Sequence, residues 1–169
     1  GGTILFAHPK KGKSFMALLM AVCIDAGITK FWPVKQQKVM WINLERSALS
    51  TQDRLGNMNA ILGLPRERPL LTINARGRSL ADVIHAARSG VRKHGVEVAF
   101  LDSISRAGMG DLNENNPVNR IIDGMNGLAP AWLGIWHAPR GSDEHVYGGI
   151  HFDAGAISSS NAKLVTPTC

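Results

Sequence analysis

The segment that most constrains this chain is Ala7-His8-Pro9-Lys10-Lys11-Gly12-Lys13-Ser14. The apolar run before it, Thr3–Ala7, predicts a strand, and Gly12–Ala26 behind it predicts a helix so apolar that most of its faces must be buried. A glycine-lysine-hydroxyl triplet between a strand and a helix lets loop N–H groups and the helix N-terminus converge on an anion. Lys13 adds a point charge suited to outer phosphates, and the Ser14 hydroxyl can ligate Mg²⁺. A basic turn that merely opens a helix would share the letters but has no need of the preceding strand. The expected contacts run from Ala7 through Ser14 to Phe15, just inside the helix. Alanine at position 7 stands where glycine is commoner, a variation the pattern tolerates.

The remainder alternates short apolar runs with segments of helical period, the rhythm of βαβ units. Lys38–Leu44 predicts a strand and Ser47–Leu62 a helix with Ser47 as N-cap, ended by Gly63-Leu64-Pro65. Leu70–Ile73 is a short strand. Ser79 caps a helix to Lys93 with Val83, Ile84, Ala87 and Val91 on one face, and Gly95 closes it. Val96–Leu101 is a nearly continuous apolar strand, as in sheets buried on both faces. A polar loop, Ser105–Asn116, leads to a helix opened by Pro117 and carrying Val118, Ile121, Ile122, Met125 and Leu128. The strand Trp132–Ala138, a polar loop at Gly141–Gly149 and a last strand at Ala162–Thr166 follow. With no internal repeat or linker, residues 1–169 are expected to form one α/β domain with a mostly parallel sheet and helices on both faces.

A phosphate loop needs a carboxylate to hold magnesium at the end of a buried strand. Val98-Ala99-Phe100-Leu101-Asp102 supplies one, at the sheet edge where ligands bind in open α/β folds. A turn or capping Asp would look the same. Glu45, at the end of Lys38–Leu44, is the candidate base or orienter for an attacking water, although a first-turn Glu is also favoured by the helix dipole alone. His137 ends Leu133-Gly134-Ile135-Trp136, and a neutral imidazole there can gain or lose a hydrogen bond to a terminal phosphate. A structural histidine is the competing account. His145 and His151 form no helical or Cys-containing ligand set, so structural zinc is not expected.

Composition sets the outer bounds. Apolar residues make up 44% and charged ones 19%, a balance suited to a packed core and unsuited to a disordered tail. No apolar run reaches the roughly 18 residues of a membrane span, no signal-peptide layout opens the chain, and its two cysteines cannot build a disulfide framework. A soluble, cytoplasmic protein without membrane partners is the expectation. The net charge of +6 is concentrated in residues 1–46 and in 76–94, where Arg76, Arg78, Arg88, Arg92 and Lys93 face Asp82 alone. Such a bias favours polyanionic ligands, or else solvates exposed helix faces.

The order Ala-x4-Gly-Lys-Ser, Trp41-Ile42-Asn43-Leu44-Glu45, Phe100-Leu101-Asp102-Ser103 and Trp136-His137-Ala138-Pro139-Arg140 resembles the RecA-like P-loop ATPases. It is most similar to the branch of RepA-type hexameric replicative helicases and their phage and plasmid AAA relatives, over roughly Thr3 to Val165. The resemblance implies ATP and Mg²⁺ as cofactors, Glu45 as catalytic carboxylate, Asp102 and Ser14 as magnesium ligands, and His137 as sensor of the γ-phosphate. It implies a homo-oligomeric ring, such as a hexamer, in which Arg140 or Lys163 completes a neighbour's site. It implies single-stranded DNA as partner, through Ser105–Asn116 and Gly141–Gly149, which offer only Arg106 and, immediately before the second loop, Arg140 as cations. Tyr147-Gly148-Gly149-Ile150 running into Asp153-Ala154-Gly155-Ala156 departs from the family's glycine-serine element. A helicase core is therefore the leading expectation. A regulatory or scaffold ATPase without translocation remains, as does a small-molecule phosphotransferase, which would need an arginine-rich lid that Gly141–Gly149 lacks. The chain also reads as a core that could be part of a longer protein.

Overall fold

The computed structural model describes residues 1–8, 10–108, 115–137, 158–159 and 162–165, with 115–117, 137 and the last two segments described by their backbone. Strands and helices alternate: β1 (Gly2–Ala7), α1 (Lys13–Ala26), β2 (Val39–Asn43), α2 (Ala48–Ile61), β3 (Leu71–Asn74), α3 (Leu80–His94) and β4 (Val98–Asp102). Then come α4 (Ile104–Ala107), α5 (Asn115–Asn126), β5 (Ala131–His137), β6 (Ser158–Ser159) and β7 (Ala162–Val165). Boundaries of the predicted strands and helices fall within one or two residues of those observed. Strand β6 is not among the predicted ones, and the loop expected at Gly141–Gly149 lies outside the described residues. One further difference concerns the loop expected over Ser105–Asn116. It opens with the short helix α4, because Ile104 and Ala107 are apolar and buried.

The sheet order is β3-β2-β4-β5-β1-β7-β6. Its first five strands are parallel; β7 pairs antiparallel with β1, and β6 with β7. Both faces are covered, as the continuous apolar strands require. Leu5, Trp41, Phe100, Leu133 and Ile135 pack under α1 and α2, whereas Ile4, Phe6, Met40, Ile42, Leu101, Trp132 and Trp136 pack under α3, α4 and α5. This is the period-2 alternation of strands read directly off the two cores. Gly134 leaves a notch on the second face that Ile104 fills, and a Cβ there would meet Ile104 Cδ1 at 2.5 Å.

Both predicted serine caps are realised. Ser47 Oγ accepts from Ser50 N at 3.2 Å, and Ser79 and Asp82 form a reciprocal capping box at the start of α3. Among the described residues no helix is long and apolar enough to cross a membrane.

Candidate active site

Parallel strands send all their following loops to one edge. Ala7, Asn43, Asn74, Asp102 and His137, the last residues of β1, β2, β3, β4 and β5, are delivered there together. Register places His137 beside Ala7, the first loop residue, and Asn43 beside both Asn74 and Asp102. The His137 side chain, Pro9 and Arg140 lie outside the described residues, as does the side chain of Lys163, whose backbone pairs with Phe6 in the β1–β7 ladder.

Between β1 and α1 the chain must turn sharply, and Gly12 does so at φ +80°, in the left-handed region. Nothing lies within 4 Å of a Cβ built at Gly12, so glycine is required there by backbone conformation and not by crowding. Lys10 takes φ +66° in the same loop. Lys13, only 5% exposed, folds its ammonium back to donate to the carbonyls of Ala7 at 2.6 Å and His8 at 2.7 Å. Burial pushes its pKa below the usual lysine value, opposed by the negative charges of Glu45 and Asp102. Both carboxylates are thus within electrostatic reach of the loop cation.

Ser14 Oγ donates to Asp102 Oδ1 at 3.3 Å, joining residues 88 apart in the chain. Asp102 is 2% exposed, and its carbonyl accepts from Leu44 N at 2.7 Å, which ties the turn after β2 to the end of β4. That turn carries Glu45 and is organised by the fully buried Asn43. Asn43 Oδ1 accepts from Glu45 N at 3.3 Å and Arg46 N at 2.9 Å, while its Nδ2 lies 2.8 to 3.0 Å from Arg46 O, Thr51 Oγ1 and Asn74 Oδ1.

Arg46 and Arg54, arriving from this turn and from α2, share with Ser14, Trp41 and Asp102 the wall of a cavity of about 10 Å³, room for roughly one water-sized particle. The Arg54 guanidinium lies 4.4 Å from the centre of the Phe15 ring. Burial, and then the neighbouring Arg46 charge, push its pKa below the ordinary arginine value. Phe15 itself is half exposed at the mouth of the loop. Sequence reasoning missed Asn43, Arg46 and Arg54. A lone polar residue closing the apolar run VMWIN was an available signal for Asn43; an arginine on a polar helix face gave none for Arg54.

Magnesium fits this donor set by chemistry, since a hydroxyl and a carboxylate in contact are hard oxygen ligands of the type it selects. Lys13, Arg46 and Arg54 outnumber Glu45 and Asp102, so the local charge already favours an anion. A metal–phosphate complex, net negative, suits the site better than a bare cation. Among the described residues no group of three or more His, Cys, Asp or Glu could hold a metal by itself.

A parallel sheet with a glycine-lysine-serine loop at its carboxyl edge, facing a buried aspartate from the next strand but one, is a P-loop nucleotide-binding domain of the RecA-like fold. A family model described as "AAA domain" matches residues 1–133, most of the chain, and the chain belongs to that family of ATPase-type domains. No curated protein matches it.

Proposed function

We propose that this chain is the Mg²⁺-dependent, ATP-hydrolysing core of a ring-forming motor on single-stranded nucleic acid, nearest the RepA-type helicases. The observation that supports the ATPase reading best is the Ser14–Asp102 contact within electrostatic reach of Lys13, with Glu45 tethered beside it. In this reading Lys13 and the amides of residues 7–15 hold the phosphates, while Ser14 and Asp102 hold the ion. When bound there, magnesium would supply neutralisation of the charge that develops on the phosphate oxygens. Glu45 takes the proton of the attacking water or orients it. His137, one strand from Ala7, senses the terminal phosphate, and Arg140 or Lys163 serves a neighbouring subunit's site. Support for the motor comes from motif order and from the basic charge.

ATP hydrolysis measured with and without single-stranded oligonucleotide, with oligomeric mass measured in parallel, tests it. Stimulation by the oligonucleotide and the mass of a ring are expected. Hydrolysis indifferent to nucleic acid would remove the motor and leave a regulatory ATPase. Lys13→Ala should abolish nucleotide binding in a calorimetric titration, and unchanged affinity would sink the loop assignment.

A further inference from the structure

A second cleft, of about 380 Å³, opens on the same sheet edge, and none of its lining residues belongs to the phosphate loop. Arg76, Gly77 and Arg78 from the turn after β3 form one side, and Ser105 and Arg106 of α4 another; Glu45 also lines it. The three arginines are exposed and Glu45 is half-buried. Asp82, the other carboxylate present, is engaged as a helix cap, its Oδ2 accepting from both Ser79 N and Ser79 Oγ at 2.8 Å. The cleft's outer rim is therefore cationic, and its size is near the lower end of small-ligand sites.

The arginine turn is fastened to the segment that carries Glu45. Ala75 N donates to Asn43 O at 2.9 Å, and Gly77 N to Leu44 O at 3.3 Å. Gly77 has φ +79°, which allows this turn to double back toward β2. A ligand drawn to Arg76 and Arg78 therefore acts on backbone hydrogen-bonded to the two residues before Glu45.

We propose that this cleft binds the phosphodiester backbone of a single strand through Arg76, Arg78 and Arg106, and couples that binding to Glu45 through the Asn43–Leu44 carbonyls. The proposal rests on the motor reading above and adds to it a contact surface from the turn after β3. Guanidiniums match phosphate oxygens with paired donors. Contacts to phosphate carry no base information, so binding through Arg76, Arg78 and Arg106 is insensitive to sequence.

The test is anisotropy of labelled oligo-dT and of a mixed-sequence oligonucleotide over a salt series, with the nucleotide site filled by a non-hydrolysable triphosphate. The full chain should bind both alike. Arg76→Ala/Arg78→Ala should weaken binding and reduce the salt slope by about 0.7 per arginine, about 1.4 in all. It should keep basal ATP hydrolysis and lose stimulation by oligonucleotide. Arg106→Ala, on a separate element, should lower the slope by about 0.7, and Arg76→Lys/Arg78→Lys should retain the parent slope, so the outcome stands even if the double alanine variant folds poorly. A parent chain that binds no oligonucleotide overturns the motor reading and this site with it. A parent that binds, with variants of unchanged affinity and slope, overturns the cleft alone.

Discussion

At the residue scale the site depends on one buried amide and one imbalance of charge. Asn43 holds the Glu45 turn without being placed to touch a substrate, which makes it a positioning residue. Asn43→Ala leaves two partly buried backbone donors of the turn, Glu45 N and Arg46 N, without their partner, a cost of roughly 1–2 kcal/mol. We expect a Tm lower by several degrees and a kcat reduced with little change in KM. A variant with parent kcat would show that the turn does not need Asn43. Glu45→Gln should bind ATP with parent affinity and lose roughly 10²- to 10⁴-fold in hydrolysis, read in single turnover; surviving turnover would place the base elsewhere. Charge decides how the ion enters. Lys13, Arg46 and Arg54 oppose a bare divalent cation, so titration with MgCl₂ alone should give no saturable heat, whereas nucleotide affinity should rise with magnesium. Saturable binding of the metal without nucleotide would overturn that ordering.

At the element scale, caps and notches hold the helices in place. The Ser79–Asp82 box starts α3 directly behind the Arg76–Arg78 turn. Hydrogen bonds from Ser79, and then the Arg78 charge, keep the Asp82 carboxyl below the usual carboxylate range. A group whose folded pKa is depressed contributes stability above its unfolded value, and that contribution is lost as pH falls through the folded value. Acid unfolding should therefore show a component below the ordinary aspartate pKa that Asp82→Asn removes; identical acid profiles would exclude it. Ser79→Ala should cost about 0.5–2 kcal/mol through the lost cap. The two caps were legible because serine before a run of helical period satisfies an otherwise orphan N–H. Helix α4 was not legible, because its four residues are too few to display a period and its burial depends on the notch at Gly134, thirty positions along the chain.

At the scale of the whole molecule, the edge opposite the site is locked by Asp25. Its carboxylate accepts from Val39 N at 3.1 Å and from Arg68 Nη2 at 2.6 Å, with Lys38 Nζ at 3.7 Å, joining the end of α1 to the start of β2 and to the approach to β3. Arg68 keeps 22% of its side-chain surface exposed, so Asp25→Ala should cost about 2–3 kcal/mol, less than the roughly 3–5 kcal/mol of a fully buried broken pair. A fall in Tm of about 5–10 °C with unchanged nucleotide affinity is expected, and a Tm equal to the parent's would deny the lock a structural role. The sequence alone determined the α/β class, the alternation of elements, the strand-loop-helix context of residues 7–14 and the carboxylates that close their strands, because all of these follow from local periodicity and turn chemistry. Only the tertiary structure decided that β4 and β5 lie between β2 and β1, that Ser14 and Asp102, paired in expectation through an ion, touch directly at 3.3 Å, that Arg54 joins them, and that the Arg76–Arg78 turn is bonded beside Glu45. The physical reason is the same throughout: these contacts join groups far apart in the chain, and only the packing of both sheet faces sets the strand order that brings them together.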